Sequence, residues 1–364
     1  MENEYSYLKF FQKLYQNQDR VSASEVNRSE DLSLWKRELR DKLNDILGME
    51  QLKKIGNSCC GRNIKAEKLE EIKEEGYVRK KYRIETLPGV YMPFYLLVPD
   101  NIIGDGKKHR TIIAIPAHGA NKDTVAGVIS SDEVKDKLKK SPKESYGKEF
   151  VKKGYVVLCP DPPGYGERIE RPAREDKAFV PDLQESVLGS SCKNLAQTAE
   201  SLGLSFQGLV LWDMMCLVDF AVRQSCIDAE RIGCAGFSGG GLYTLWLAAM
   251  DERIKLAAIS GYIHGYYDSI LETHLCPCNY LPKLWEYADI CDIAALIAPR
   301  YLFMENGNHD VLNGHRGIID PKEQTEKISR VYQLCGKKER AVHQEFEGIH
   351  EWYGGCYDFV NQYL

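Results

Sequence analysis

The feature that most constrains this chain is a short apolar run, Ile232-Gly-Cys-Ala235. It passes through Gly236-Phe237-Ser238-Gly239-Gly240 straight into Leu242–Met250, a helix-forming stretch without Gly or Pro. The G-x-S-x-G spacing predicts a strand-turn-helix elbow with a serine at its tip and φ > 0. Only hydrogen side chains two residues to either side let strand and helix pass so closely. The helix that follows points its positive end and free N–H groups at whatever anion forms beside Ser238. Gly239 N–H is the expected oxyanion donor. A glycine-rich turn also arises by chance, so the reading requires a base and an acid later in the chain.

A chain of 364 residues, 43% hydrophobic and 28% charged, has the makeup of a soluble globular protein with one large core or two modest ones. Disordered and fibrous classes are excluded. The acidic N-terminus lacks a basic segment followed by an apolar one, so no secretory signal and a cytoplasmic location are expected. No stretch approaches the roughly 20 apolar residues of a membrane helix. A net charge of −5 gives no reason to expect nucleic acid or an anionic membrane as partner. The 12 cysteines scatter through predicted strands and helices (Cys159, Cys216, Cys234), which suits reduced thiols in the cytoplasm. Cys59-Cys60 makes no metal site alone. His274-Leu-Cys276-Pro-Cys278 has ligand types at close spacing but no second C-x-x-C or H-x-x-x-H half, so a structural loop is favoured over zinc. Neither metal nor organic cofactor is expected.

Residues 5–54 read as helices, with Leu34, Leu39, Leu43 and Leu47 near helical period and Gly48 as the C-cap. Residues 1–60 are expected to form a helical extension that packs on the following domain or on a second subunit. From Ala66 to Pro99 the pattern turns to antiparallel edge strands, and Thr111–Ile115 is a continuous apolar strand covered on both faces. It ends in His118-Gly119-Ala120, where Ala120 N–H would be a second oxyanion donor. A polar loop, a helix near Lys143–Lys153 and the strand Tyr155–Cys159 follow. The strand opens into Asp161-Pro-Pro-Gly-Tyr-Gly-Glu167-Arg168, which lacks the third glycine of a dinucleotide loop and reads as scaffolding. Residues 169–207 and the aromatic-rich 262–290 are expected to cap the site. Phe237, His118, Tyr266 and Trp352 are candidate substrate contacts.

The partners come in order. Pro299–Glu305 is a strand leaving into Asn306-Gly-Asn-His-Asp310, and Ala341–Phe346 leaves into Glu347-Gly-Ile-His350. Ser238, Asp310 and His350 each stand just past a strand's C-terminal end, where open α/β sheets place their sites. A serine hydroxyl is a poor nucleophile until an imidazole takes its proton, and the imidazole needs a carboxylate to fix its tautomer. Glu305, Asp320 and Glu347 are the fallback acids. His309 and His315 share the acid's loop, and His343 falls inside a strand.

The chain also resembles the α/β-hydrolase branch that holds dienelactone hydrolase-like and bacterial acetyl xylan esterase-like proteins, from about Leu32 to Trp352. The resemblance rests on His118-Gly119, Asp161-x-x-Gly-x-Gly-Glu-Arg168, Arg231–Gly241, Asp251-Glu-Arg-Ile254, His274-x-Cys-Pro-Cys-Asn-Tyr280, Ala298-Pro-Arg300 and Gly348-x-His350-Glu-Trp352. Tyr301 departs from the proline that relatives often carry. The resemblance implies an α/β-hydrolase fold, mostly parallel and doubly wound, over residues 61–364, with Ser238, Asp310 and His350 as the catalytic set. The activity expected is that of a serine esterase on a small acyl ester such as an acetylated sugar. An oligopeptidase-type serine peptidase is the second enzyme class, disfavoured because no propeller repeat precedes the domain. A binding protein without catalysis is the third. A homo-oligomer through the N-terminal helices is a further expectation.

Overall fold

The computed structural model describes residues 7–16, 19–56, 64–170 and 186–364. Apolar runs without polar alternation build its centre. In Thr111–Ile115 the side chains of Ile113 and Ile115 enter one core, and those of Ile112 and Ala114 enter another on the opposite face. A strand covered on both sides has no solvent face, which is why the sequence shows no alternation there. Nine strands make the sheet: β1 Ala66–Glu74, β2 Tyr77–Leu87, β3 Val90–Pro99, β4 His109–Ile115, β5 Val156–Pro160, β6 Ile227–Phe237, β7 Ile254–Ser260, β8 Tyr301–Gly307 and β9 Ala341–Phe346. Their spatial order is β1-β2-β3-β5-β4-β6-β7-β8-β9. Pairing is antiparallel from β1 through β3 to β5 and parallel from β5 onward. The strand β1 is exposed and charged along its length, a composition that blunts a free sheet edge.

Helices Phe206–Ala221, Gly239–Met250, Ile290–Ala295 and Ile319–Leu334 bury side chains in the core on one face, and Tyr146–Lys152 and Cys356–Tyr363 do so on the other. The sequence direction reverses around β4, whose neighbours β5 and β6 continue to opposite sides. Such a switch point opens a crevice at the strands' C-terminal ends.

Several stretches differ from the sequence-based expectation. The polar loop after Ala120 holds two helices, Lys122–Ala126 and Asp132–Lys140. Both start on side-chain caps: Asn121 Oδ1 accepts from Thr124 N–H at 3.0 Å and Ser131 Oγ from Val134 N–H at 3.2 Å. Within 169–207, Cys192–Ser201 is helical, and residues 171–185 lie outside the described residues. The Tyr262–Leu284 stretch is no loose cap, because Tyr262, Ile263, Tyr266, Ile270, Cys278, Leu281 and Leu284 are buried. The C-terminal helix has no counterpart in the sequence reading.

Residues 7–56 do not stand apart as an extension. Leu32, Leu39, Leu43, Leu47, Met49 and Leu52 are buried in the same core as Trp212 and Leu245, whereas Leu34 lies off that face and is exposed. Arg40 Nη2 donates to Leu296 O at 3.1 Å. Tyr15 stacks on Trp285 at 3.7 Å between ring centroids, the Arg20 guanidinium lies 3.3 Å over the same indole, and Trp285 Nε1–H donates to Tyr15 O. Among the described residues no single helix is long and apolar enough to cross a membrane. Cys192–Ser201 and Phe206–Ala221 together reach that length but meet at 105°.

Candidate active site

The elbow forms as its glycines require. Ser238 sits between β6 and helix Gly239–Met250 at φ 55 and ψ −118, its N–H donating to Ser260 O at 2.9 Å. A Cβ on Gly236 would stand 2.2 Å from Gly240 O, and one on Gly240 would stand 2.1 Å from Ile115 O of β4. No larger residue lets the helix cross there.

Across the crevice β9 delivers His350. The buried Glu305 carboxylate, at the end of β8, accepts N–H groups from Tyr353, Gly354 and Gly355 at 3.2, 3.1 and 2.9 Å and so fixes the turn that carries it. Asp310 follows β8; its Oδ1 accepts from Leu312 N–H at 2.8 Å, which leaves Oδ2 for the imidazole. His350 Nδ1 lies 2.7 Å from Asp310 Oδ2, and His350 Nε2 lies 2.8 Å from Ser238 Oγ. Serine, imidazole and carboxylate thus stand in one hydrogen-bonded line, with Asp310 buried and His350 partly open. Phe237 packs its ring 4.6 Å from that of His350.

The fallback acids are occupied elsewhere. Glu305 holds the 353–355 backbone, Asp320 accepts from Gly265 N–H and pairs with Arg316, and exposed Glu347 pairs with His309 and Asn308. His315 pairs with Glu272, and His343 Nε2 lies 3.3 Å from Asn306 Oδ1. One further histidine was not legible as a site residue. His264 is buried, and neither ring nitrogen has a partner among the described residues. Burial lowers its pKa to about 4, aided by the nearby His350 and opposed by Asp310.

The oxyanion side departs from expectation at one atom. Ala120 N–H closes a turn on Ala117 O at 3.1 Å, with Gly119 at φ 72, so it is already committed. The His118 backbone N lies nearer the elbow, 3.3 Å from where a Cβ on Gly239 would stand. Just beyond this turn, buried Lys122 pairs with Asp161 at 3.1 Å and Glu167 at 2.5 Å. Asp161 also accepts the N–H groups of Lys122 and Glu167. The loop 161–168 therefore braces the turn from below.

Two candidate substrate contacts are structural instead. Trp352 is buried, stacks on Tyr146 at 4.3 Å and donates to Tyr357. Tyr266 is buried too, and its hydroxyl accepts from Leu281 N–H. His118 turns its side chain away from solvent toward sulfur: Nε2 lies 3.1 Å from Cys278 Sγ and 3.6 Å from Cys192 Sγ. The second half of the Cys276-Pro-Cys278 cluster, absent from the sequence pattern, is thus supplied by Cys192 and His118 from distant segments, and His274 takes no part.

A parallel-rich sheet carrying Ser, Asp and His past β6, β8 and β9 defines an α/β-hydrolase fold. The chain belongs to the Abhydrolase family, whose model matches residues 10–265 and so runs across the boundary expected near residue 60. The "Putative hydrolase YtaP" of Bacillus subtilis (strain 168) is 28% identical over 188 residues, 48% of this chain and 53% of that protein. The chain therefore spans about half the length of the curated relative it matches. Among solved structures, the "putative acetyl xylan esterase" of Bacteroides fragilis NCTC 9343 superposes with a TM-score of 0.69 at 19% identity, covering 94% of this chain and 82% of that one. A glucuronoyl esterase from Solibacter usitatus gives 0.59 at 15% identity, covering 86% and 90%. These likenesses bear on the fold.

Proposed function

We propose that the protein is a serine carboxylic ester hydrolase working through a catalytic triad and an acyl-enzyme, with an acetylated sugar or similar small acyl ester as substrate. The observation that carries this is the unbroken contact from Ser238 Oγ to His350 to Asp310, at 2.8 and 2.7 Å. His350 takes the hydroxyl proton as Ser238 attacks the ester carbonyl, and Asp310 holds the imidazole in the tautomer whose Nε2 is the acceptor. Charge then develops on the carbonyl oxygen. Gly239 N–H, first in its helix, meets it at the positive helix end, and a second donor comes from the Ala117–Ala120 turn. His350 returns the proton to the leaving alcohol, and water repeats the sequence to free the acid. The carbohydrate-ester names of the structural relatives favour a sugar alcohol. None of the described cysteines is in a disulfide, which supports a reducing, cytoplasmic setting.

The test is labelling with a serine-directed fluorophosphonate alongside acetate release from a panel of acetylated sugars and p-nitrophenyl acetate. Labelling and acetate release by the wild type, both lost in Ser238→Ala, support the proposal. An unlabelled wild type would leave a binding protein, and cleavage confined to peptides would leave a peptidase.

A further inference from the structure

Beside the elbow, three chain segments far apart in sequence bring four soft donors to one point. His118 comes from the turn after β4, Cys192 from the first turn of helix Cys192–Ser201, and Cys276 and Cys278 from the turn around Pro277. One ligand atom from each lies within 4.8 Å of all the others. Cys192 and Cys278 are buried, while His118 and Cys276 are partly so. We infer that His118 Nε2 and the Sγ atoms of Cys192, Cys276 and Cys278 bind one zinc ion as a closed, structural site.

The distances favour this arrangement over chance packing. A tetrahedral zinc with bonds of about 2.3 Å to sulfur and about 2.0 Å to nitrogen places sulfurs about 3.8 Å apart and nitrogen about 3.5 Å from sulfur. Cys192 Sγ to Cys276 Sγ is 3.5 Å, His118 Nε2 to Cys192 Sγ is 3.6 Å and His118 Nε2 to Cys278 Sγ is 3.1 Å. These three edges are each within about 0.5 Å of the tetrahedral value, and all six are under 4.8 Å. The surroundings also fit, because metal-bound sulfurs take hydrogen bonds from an outer ring of donors. Ser190 Oγ lies 3.2 Å from Cys192 Sγ, and Asn279 Nδ2–H donates to Cys278 Sγ at 3.6 Å. Gln207 Nε2–H holds Cys278 O at 2.9 Å, fixing the turn's backbone. A disulfide would use only two of the three sulfurs and leave the third beside the imidazole. Thiolate-rich sets of this geometry select zinc over magnesium, calcium or manganese.

Binding would displace the thiol protons and leave the ion with four protein ligands and no open position, so it would act on shape and not on the reacting ester. Its effect reaches the elbow through one ring. A Cβ on Gly239 would stand 2.5 Å from His118 Nδ1, so the imidazole that faces the sulfurs with one nitrogen lies against the elbow at Gly239 with the other. Zinc on Nε2 would keep the proton on Nδ1 and lock the turn to helix Cys192–Ser201 and to the 276–278 segment. The inference stands on the cluster alone and does not depend on the esterase proposal.

The full-length protein, made in zinc-supplemented medium and purified without chelator, is assayed for metal by mass spectrometry and for free thiols. About one zinc per chain is expected. Cys192→Ser and Cys276→Ser should each lower the zinc content at least about tenfold, and Cys335→Ser, outside the cluster, should not. Cobalt added to metal-stripped protein should give a tetrahedral visible spectrum with sulfur-to-cobalt charge transfer, lost in the same two variants. Cys276 is partly exposed, so its variant keeps the test open if Cys192→Ser fails to fold. Wild type without zinc and without the cobalt band, a Cys192–Cys276 disulfide in freshly isolated protein, or zinc retained by folded Cys276→Ser would each overturn the inference.

Discussion

Replacing Ser238 by glycine should leave the protein more stable than replacing it by alanine, although both substitutions abolish ester cleavage. Ser238 holds φ 55 and ψ −118, a backbone conformation that costs an L residue about 1–3 kcal/mol. Alanine keeps the Cβ and therefore the strain. Both variants lose Oγ and its contact with His350, so that loss cancels in the comparison. Glycine relieves the strain but adds about 0.5–1 kcal/mol of unfolded-chain entropy. The net advantage of glycine is roughly 0.5–2 kcal/mol, which in a chain of this length moves the midpoint by about 1–3 °C. Urea titrations of the two variants, with m-values checked for equality, measure the difference directly. A glycine variant that melts at or below the alanine variant would refute the idea that the elbow stores strain.

Three further outcomes follow from the same geometry. Asp310→Asn keeps the shape but favours the wrong imidazole tautomer, so kcat on p-nitrophenyl acetate should fall about 10³–10⁴-fold with the fold intact by circular dichroism. Gly240→Ala drives a Cβ to 2.1 Å from Ile115 O, so it should cost roughly 3 kcal/mol or more and show as a lowered Tm or insoluble protein. His264, held neutral with its pKa down at about 4 against an ordinary value near 6.5, contributes stability that is complete above pH 6.5 and lost as pH falls through 4. Relative to His264→Gln, the wild type should lose roughly 3 kcal/mol between pH 7 and pH 4. Equal pH slopes in the two proteins would sink that account.

The reactive serine, its base and its acid were legible because local rules place them. A glycine-flanked serine between strand and helix has one workable geometry, and carboxylate and imidazole each follow an apolar run that ends abruptly. The Asp161–Arg168 loop read as scaffolding for a similar reason, its prolines and glycines leaving little conformational freedom. What stayed hidden depends on side chains that meet only in space. Cys192 is 74 residues from His118 and 84 from Cys276, so no spacing rule connects them. Ala120 N–H looked free because sequence cannot show that a turn folds it back onto Ala117 O. Trp352, two residues from His350, and Tyr266, in the aromatic-rich stretch, point into packed interior, since neither nearness in sequence nor aromatic content decides which surface a side chain faces. The helix Asp132–Lys140 hid behind its charge, with Val134 its one buried residue.

The grip of residues 15–40 on residues 285–298 sets a timetable for the newborn chain. Arg20 and its partner carbonyl at Trp285 are 265 residues apart. At a synthesis rate of about 5–20 residues per second, the first helices leave the ribosome roughly a quarter of a minute to a minute before the surface that covers them exists. Leu39, Leu43 and Leu47 go without native shelter until the core segments around Trp212 and Leu245 emerge, an exposed apolar stretch of the kind that chaperones at the exit tunnel cover.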